Sequence, residues 1–327
     1  MGFAILWIML FHFPVPTDIF LLDFIKSIGY GGVDVFLFLS GFGLYFSMSR
    51  KNFELKKYYK SRFFRIVPEF WLVLSIVFLT QMNFSLQSFY SLICKATTLG
   101  YWIGRQDELW FISCILFLYA IYPIYFRLFK TYGSKVPLIF IGAGFSLILI
   151  YALTCTFCYN NKNFGGFIIR TYARIPIFFI GAVFGHWAKN GCNIILNNRL
   201  KILGLSSAIV ATIALICFMN FFSRALHTYS LAYLPYIIIT PTLCILLALF
   251  FEKWKIIDKI FTVMGLLSLE LYLCHVYIYK LFFSFLDYLD KDSSCILIML
   301  LSFFSAYILY FINRKFLTRR TNTRIRP

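Results

Sequence analysis

The chain keeps returning to apolar runs of about 20 residues, and those runs decide what it can fold into. A helix of that length crosses a hydrocarbon core about 30 Å thick, whereas barrel strands would show short alternating segments. The spans read as 1–13, 28–49, 66–82, 109–127, 136–157, 174–188, 202–222, 232–251, 260–283 and 294–313. The first of them is short. The longest connection, 83–108, leaves no room for a soluble domain. Charged residues make up 13% of the chain, against about 25% in soluble proteins. The fold class is an all-α polytopic membrane protein with about ten transmembrane helices.

A net charge of +18 invites a nucleic-acid reading, but the distribution of the charges favours topology. With the N-terminus in the cytoplasm, inner segments carry seven Lys and Arg in 50–65, three each in 127–135, 189–201 and 253–259, and six in 314–326. The outer segments share the remaining nine. That alternation is the positive-inside pattern for an N-in/C-in chain in a cell membrane, with no nucleic-acid partner. The nine cysteines scatter through apolar segments, and Cys155-x-x-Cys158 reads as small apolar filler ahead of a redox or metal pair.

Three stretches could carry chemistry. In "YGGVDVFLFLSGFG", 30–43, Asp34 lies just inside a span, where a carboxylate is costly unless paired or hydrated. It serves either the N-terminal end of its helix or a nearby cation. The small residues from Ser40 to Gly43 allow close helix contact. In "RKNFELKKYYKSRFFRIVPEFW", 50–71, Arg62 and Arg65 stand three apart on one helical face. Two guanidiniums there could clamp a polyanion or meet anionic lipid headgroups.

In "GLLSLELYLCH", 265–275, Ser268 and His275 share a face, and Glu270 points about 140° away from His275. Ionisable residues inside a span default to function, with an interhelical hydrogen bond as the alternative. His12 ends the first apolar run, where an imidazole could act as a general base or merely pack. His186 reads as an interfacial residue and His227 as part of an outer loop. No two histidines have helical metal-ligand spacing, so no metal is expected.

Taken in order, these strings resemble the acyltransferase family 3 integral membrane proteins. The resemblance rests on "AILWIMLFHF", "GGVDVFLFLSGF", "SRFFRIVPEFW", "ELWFISCILFLYAIYP", "RIPIFFIGAVFG" and "SLELYLCH", and it runs nearly end to end. Members usually carry an arginine eleven residues before the first histidine. Here that position is Met1, so the native N-terminus is expected to extend further. The resemblance implies a transmembrane domain over 1–317 and a basic cytoplasmic tail over 318–327.

It further implies transfer of an acyl group, acetyl by family habit, from cytosolic acyl-CoA to a hydroxyl of a surface carbohydrate or its lipid-linked precursor. No permanently bound cofactor is expected; acyl-CoA is a co-substrate, and the bilayer and the carbohydrate acceptor are the partners. His12 would be the base, oriented by Asp34 or Glu270, and Arg62 and Arg65 would hold the donor's phosphates. Ser268, His275 and Ser40 would support them, and Glu108 and Trp110 would form an acceptor mouth. The location implied is the bacterial inner membrane. A transporter or flippase for a glycan or lipid-linked sugar, and an inactive shortened copy, stand as alternatives.

Overall fold

The computed structural model describes residues 1–12, 19–50, 53–80, 84–103, 108–157, 168–191, 203–215, 233–282 and 291–322. The described residues are almost entirely helical and include no strand. The helices are α1 (Gly2–His12), α2 (Phe20–Ser27), α3 (Gly32–Met48), α4 (Leu55–Thr80), α5 (Leu86–Ala96), α6 (Leu99–Trp102), α7 (Trp110–Tyr132) and α8 (Lys135–Phe157). They continue with α9 (Ile169–Tyr172), α10 (Ile175–Lys189), α11 (Leu203–Leu215), α12 (Tyr236–Lys253), α13 (Lys255–Leu266), α14 (Ser268–Phe282) and α15 (Lys291–Asn322). The chain is a multi-pass membrane protein.

Six of these helices are long and apolar enough to cross a bilayer, and the bent pair α13–α14 makes a seventh crossing if counted as one. The ten crossings expected from the sequence are therefore not all present among the described residues. The physical reason is length. The 11 residues of α1 rise about 16 Å and the 15 of α10 about 22 Å, both short of a 30 Å core. In the ninth expected span the axis turns by 70° between α13 and α14. The expected seventh span continues beyond Leu215 outside the described residues, as do His227 and the side chains of Cys155 and Cys158.

The chain forms two compact units. The first comprises residues 1–32, 61–96 and 259–327. Its α1 is apolar on every side and buries Ala4, Ile5, Trp7, Ile8 and Met9. A short 3-10 turn, Gly29–Gly31, packs across it because a Cβ at Gly29 would lie 2.5 Å from the Trp7 carbonyl oxygen. Trp7 Nε1 donates to the Ile25 carbonyl at 2.7 Å, which fixes that chain segment against the helix. α1 also packs on α14, and α14 on α15. Trp71 Nε1 donates to the Ala96 carbonyl at 2.9 Å, tying the end of α5 to α4. α4 continues unbroken through Pro68, so Arg62 and Arg65 stand on the spanning helix itself rather than ahead of it.

The second unit comprises residues 33–60 and 97–258. Here α3 and α10 meet backbone to backbone. A Cβ at Gly41 would overlap the Phe178 carbonyl, and one at Gly181 would overlap the Phe38 carbonyl. Small residues at such a contact let helices pack where apolar side chains gain nothing over lipid. Within Ser40–Gly43 the contact is thus made by Gly41, while a Cβ at Gly43 would meet open space. α7 ends at Gly133, whose φ of +65° turns the chain into α8. Its N–H donates to the Phe129 carbonyl at 2.9 Å.

Candidate active site

The first unit holds His12, Arg62, Arg65, Ser268, Glu270 and His275 together. His12 is half-buried at the end of α1, and its Nδ1 lies 2.9 Å from the Ile8 carbonyl. A carbonyl accepts only, so Nδ1 carries the proton and Nε2 keeps its lone pair. His275 is fully buried on α14, with Nδ1 2.9 Å from the Leu271 carbonyl by the same logic. Its unprotonated Nε2 then lies 3.4 Å from His12 Nδ1, and the two rings sit edge to face at 5.0 Å. The two backbone carbonyls thereby set both tautomers, assigned from the hydrogen-bond pattern.

Ser268 and Glu270 are buried near the start of α14. Glu270 stands close enough to Glu69, on α4, and to Arg65 for the three side chains to act on one another electrostatically. The Oε2 atoms of Glu69 and Glu270 are buried without a hydrogen bond. Arg65 is exposed and Arg62 half-buried, one turn apart on α4. Glu69 escaped sequence reasoning, although a carboxylate directly after Pro68 in an apolar run is the signal that should have found it.

The second unit holds Asp34, Ser40, Glu108 and Trp110. Asp34 has the cation its position called for: Oδ2 lies 3.5 Å from Arg174 Nε, with both side chains fully buried. The guanidinium is flanked by the rings of Trp110 at 4.9 Å and Tyr233 at 4.2 Å, and Nη1 donates to the Arg170 carbonyl at 3.0 Å. Nearby, Tyr101 on α6 shares a 2.8 Å hydrogen bond with the Thr171 hydroxyl, and burial pushes its phenol above the usual range. Ser40 is half-buried on α3, and Glu108 lies half-buried in the turn before α7. The sequence leaves the role of Arg174 unread, since its partner stands 140 residues away. His12 contacts the Ile8 carbonyl, His275 and the Phe11 ring, while Asp34 meets Arg174 and Glu270 stands near Glu69.

This constellation of histidine, paired arginines and intramembrane carboxyls accompanies a match over residues 2–312 to the acyltransferase 3 family model, described as an acyltransferase domain. The chain belongs to acyltransferase family 3. No curated protein and no solved structure matches it significantly. Membership covers nearly the whole chain, so both units are part of this family's acyltransferase domain.

Proposed function

We propose that the protein is a membrane O-acyltransferase that moves an acyl group, acetyl in the simplest case, from acyl-CoA to a hydroxyl of a surface carbohydrate or its lipid-linked precursor. The observation that carries this reading is the 2.9 Å contact of His12 Nδ1 with the Ile8 carbonyl, an acceptor that holds the proton on Nδ1 and leaves Nε2 available as a base. Nε2 takes the acceptor's hydroxyl proton as the oxygen attacks the thioester carbonyl carbon. The tetrahedral intermediate then collapses with cleavage of the C–S bond, and the proton on Nε2 passes to the departing thiolate. The products are an ester and free coenzyme A. As the imidazolium forms, the Ile8 carbonyl stabilises its charge, and His275 Nε2 holds the ring from the side of Nδ1.

Arg62 and Arg65 suit the donor's phosphates, since guanidiniums bind phosphate oxygens bidentately. The Lys and Arg distribution supports a cytoplasmic position for their segment, the side from which a cytosolic donor would come. The expected location is the bacterial inner membrane, with acetylation of cell-envelope polysaccharide as the biological outcome. The test is coenzyme A release from acetyl-CoA by purified protein in lipid nanodiscs, with a carbohydrate acceptor present. Loss of release in His12→Ala, with the fold intact, is expected; full activity in that variant overturns the assignment.

A further inference from the structure

Acyl transfer as described uses the first unit and leaves a cavity of about 620 Å³ in the second unit unexplained. That volume lies within the range of about 300–1,000 Å³ typical of small-molecule sites. It sits between the C-terminal end of α3, the turn joining α7 to α8, and the C-terminal half of α10. Its body is apolar, built by Pro137, Leu138, Ile141, Ile180, Val183 and Phe184. Its rim is polar: Lys130, Ser134 and His186, the last held by a 2.7 Å hydrogen bond to the Tyr45 hydroxyl. Leu138 is 71% and Trp187 45% exposed, so the cavity is open at its side rather than sealed.

Lys130 is the cation that lines it, and the helix-end segments that supply its walls are basic. Residues 40–50, 127–141 and 175–190, which supply the walls, carry Arg50, Arg127, Lys130, Lys135 and Lys189 and contain no Asp or Glu. These cations cluster where α3, α7 and α10 end and α8 begins, at one end of the apolar walls. A concave apolar body with the Lys130 cation at its edge, open at its side beside the spanning helices α7 and α8, is complementary to an amphiphile with an anionic head. We propose that this cavity binds one anionic phospholipid of the surrounding bilayer, its acyl chain along α8 and α10 and its phosphate at Lys130 and Ser134. It is a discrete concave site, unlike the exposed apolar stretch of α8 at Leu149 and Ile150.

The test uses the full chain purified in detergent, titrated with phosphatidylglycerol and with phosphatidylcholine of identical chains, and read by native mass spectrometry. One phosphatidylglycerol is expected to stay bound under activation that strips phosphatidylcholine. A phosphatidylglycerol with a photoreactive group in its chain should crosslink within 134–141 and 180–187. Val183→Trp, which fills the cavity, and Lys130→Ala, which removes the rim cation, should each cut retention about tenfold, a difference of about 1.4 kcal/mol. Leu149→Trp, on the exposed part of α8, should leave it unchanged, and unfolding temperatures identify any variant that fails to fold. Equal retention of the two lipids, crosslinks spread evenly over the exposed helices, or displacement of the crosslink by acyl-CoA would each overturn the proposal.

Discussion

The buried ion pair between Asp34 and Arg174 makes the most direct demand on the fold. Its charges stand 3.5 Å apart with no solvent at either side chain. At an effective dielectric of about 20 their attraction is about 5 kcal/mol, comparable to the cost of desolvating the two ions. The intact pair therefore contributes little net stability. Removing one partner is different, because the survivor keeps its desolvation cost without its counter-charge. Asp34→Asn is expected to destabilise by about 3–5 kcal/mol. Arg174→Met should cost at least as much, since the stacking on Trp110 and Tyr233 is lost as well, about 0.5–2 kcal/mol per ring.

The double variant leaves no stranded charge, so its loss should fall about 3 kcal/mol short of the sum of the single losses. Unfolding in mixed micelles by increasing SDS, followed by tryptophan fluorescence, measures all four corners of the cycle, and Trp110 reports locally. Single variants within about 1 kcal/mol of the parent, or a double variant equal to the sum, would refute the view that these charges depend on one another.

His12→Ala is expected to lower coenzyme A release by about 10²–10⁴-fold, whereas His275→Gln, which can still offer an acceptor toward His12, should lose less and retain the same KM for acetyl-CoA. Arg62→Ala and Arg65→Ala should each raise KM for acyl-CoA by about tenfold or more, from loss of about 1.5–3 kcal/mol of charged hydrogen bonding, with kcat less affected. Gly41→Ala should destabilise by about 1–3 kcal/mol, since the new methyl meets the rigid Phe178 carbonyl, whereas Gly43→Ala meets open space and should be neutral or stabilising in the same SDS assay. Glu69→Leu leaves the buried Glu270 carboxyl without its neighbour and should cost about 1–3 kcal/mol, most of it recovered in Glu69→Gln.

Composition and spacing along one dimension suffice for the class of this protein and for a short set of candidate polar residues. Apolar run lengths establish a helical membrane protein, since hydrocarbon satisfies no backbone polar group and run length measures the crossing. The placement of α3, α7, α8 and α12 is legible within a few residues for the same reason. His12 stands out as a candidate because polar groups within apolar runs are costly, and Arg62 and Arg65 because they share one helical face at the edge of a span. Which of the polar groups meet is a matter of tertiary structure alone. His12 and His275 are 263 residues apart, Asp34 and Arg174 are 140 apart, and Glu69 finds Glu270 on a separate helix. A helical period tells which face a side chain occupies but not which helix lies against that face. The choice of Gly41 over Gly43 for the α3–α10 contact, and the 70° turn before α14, are settled by the same three-dimensional fit. Local propensity is blind to it, because the energy resides in contacts between segments that the sequence holds far apart.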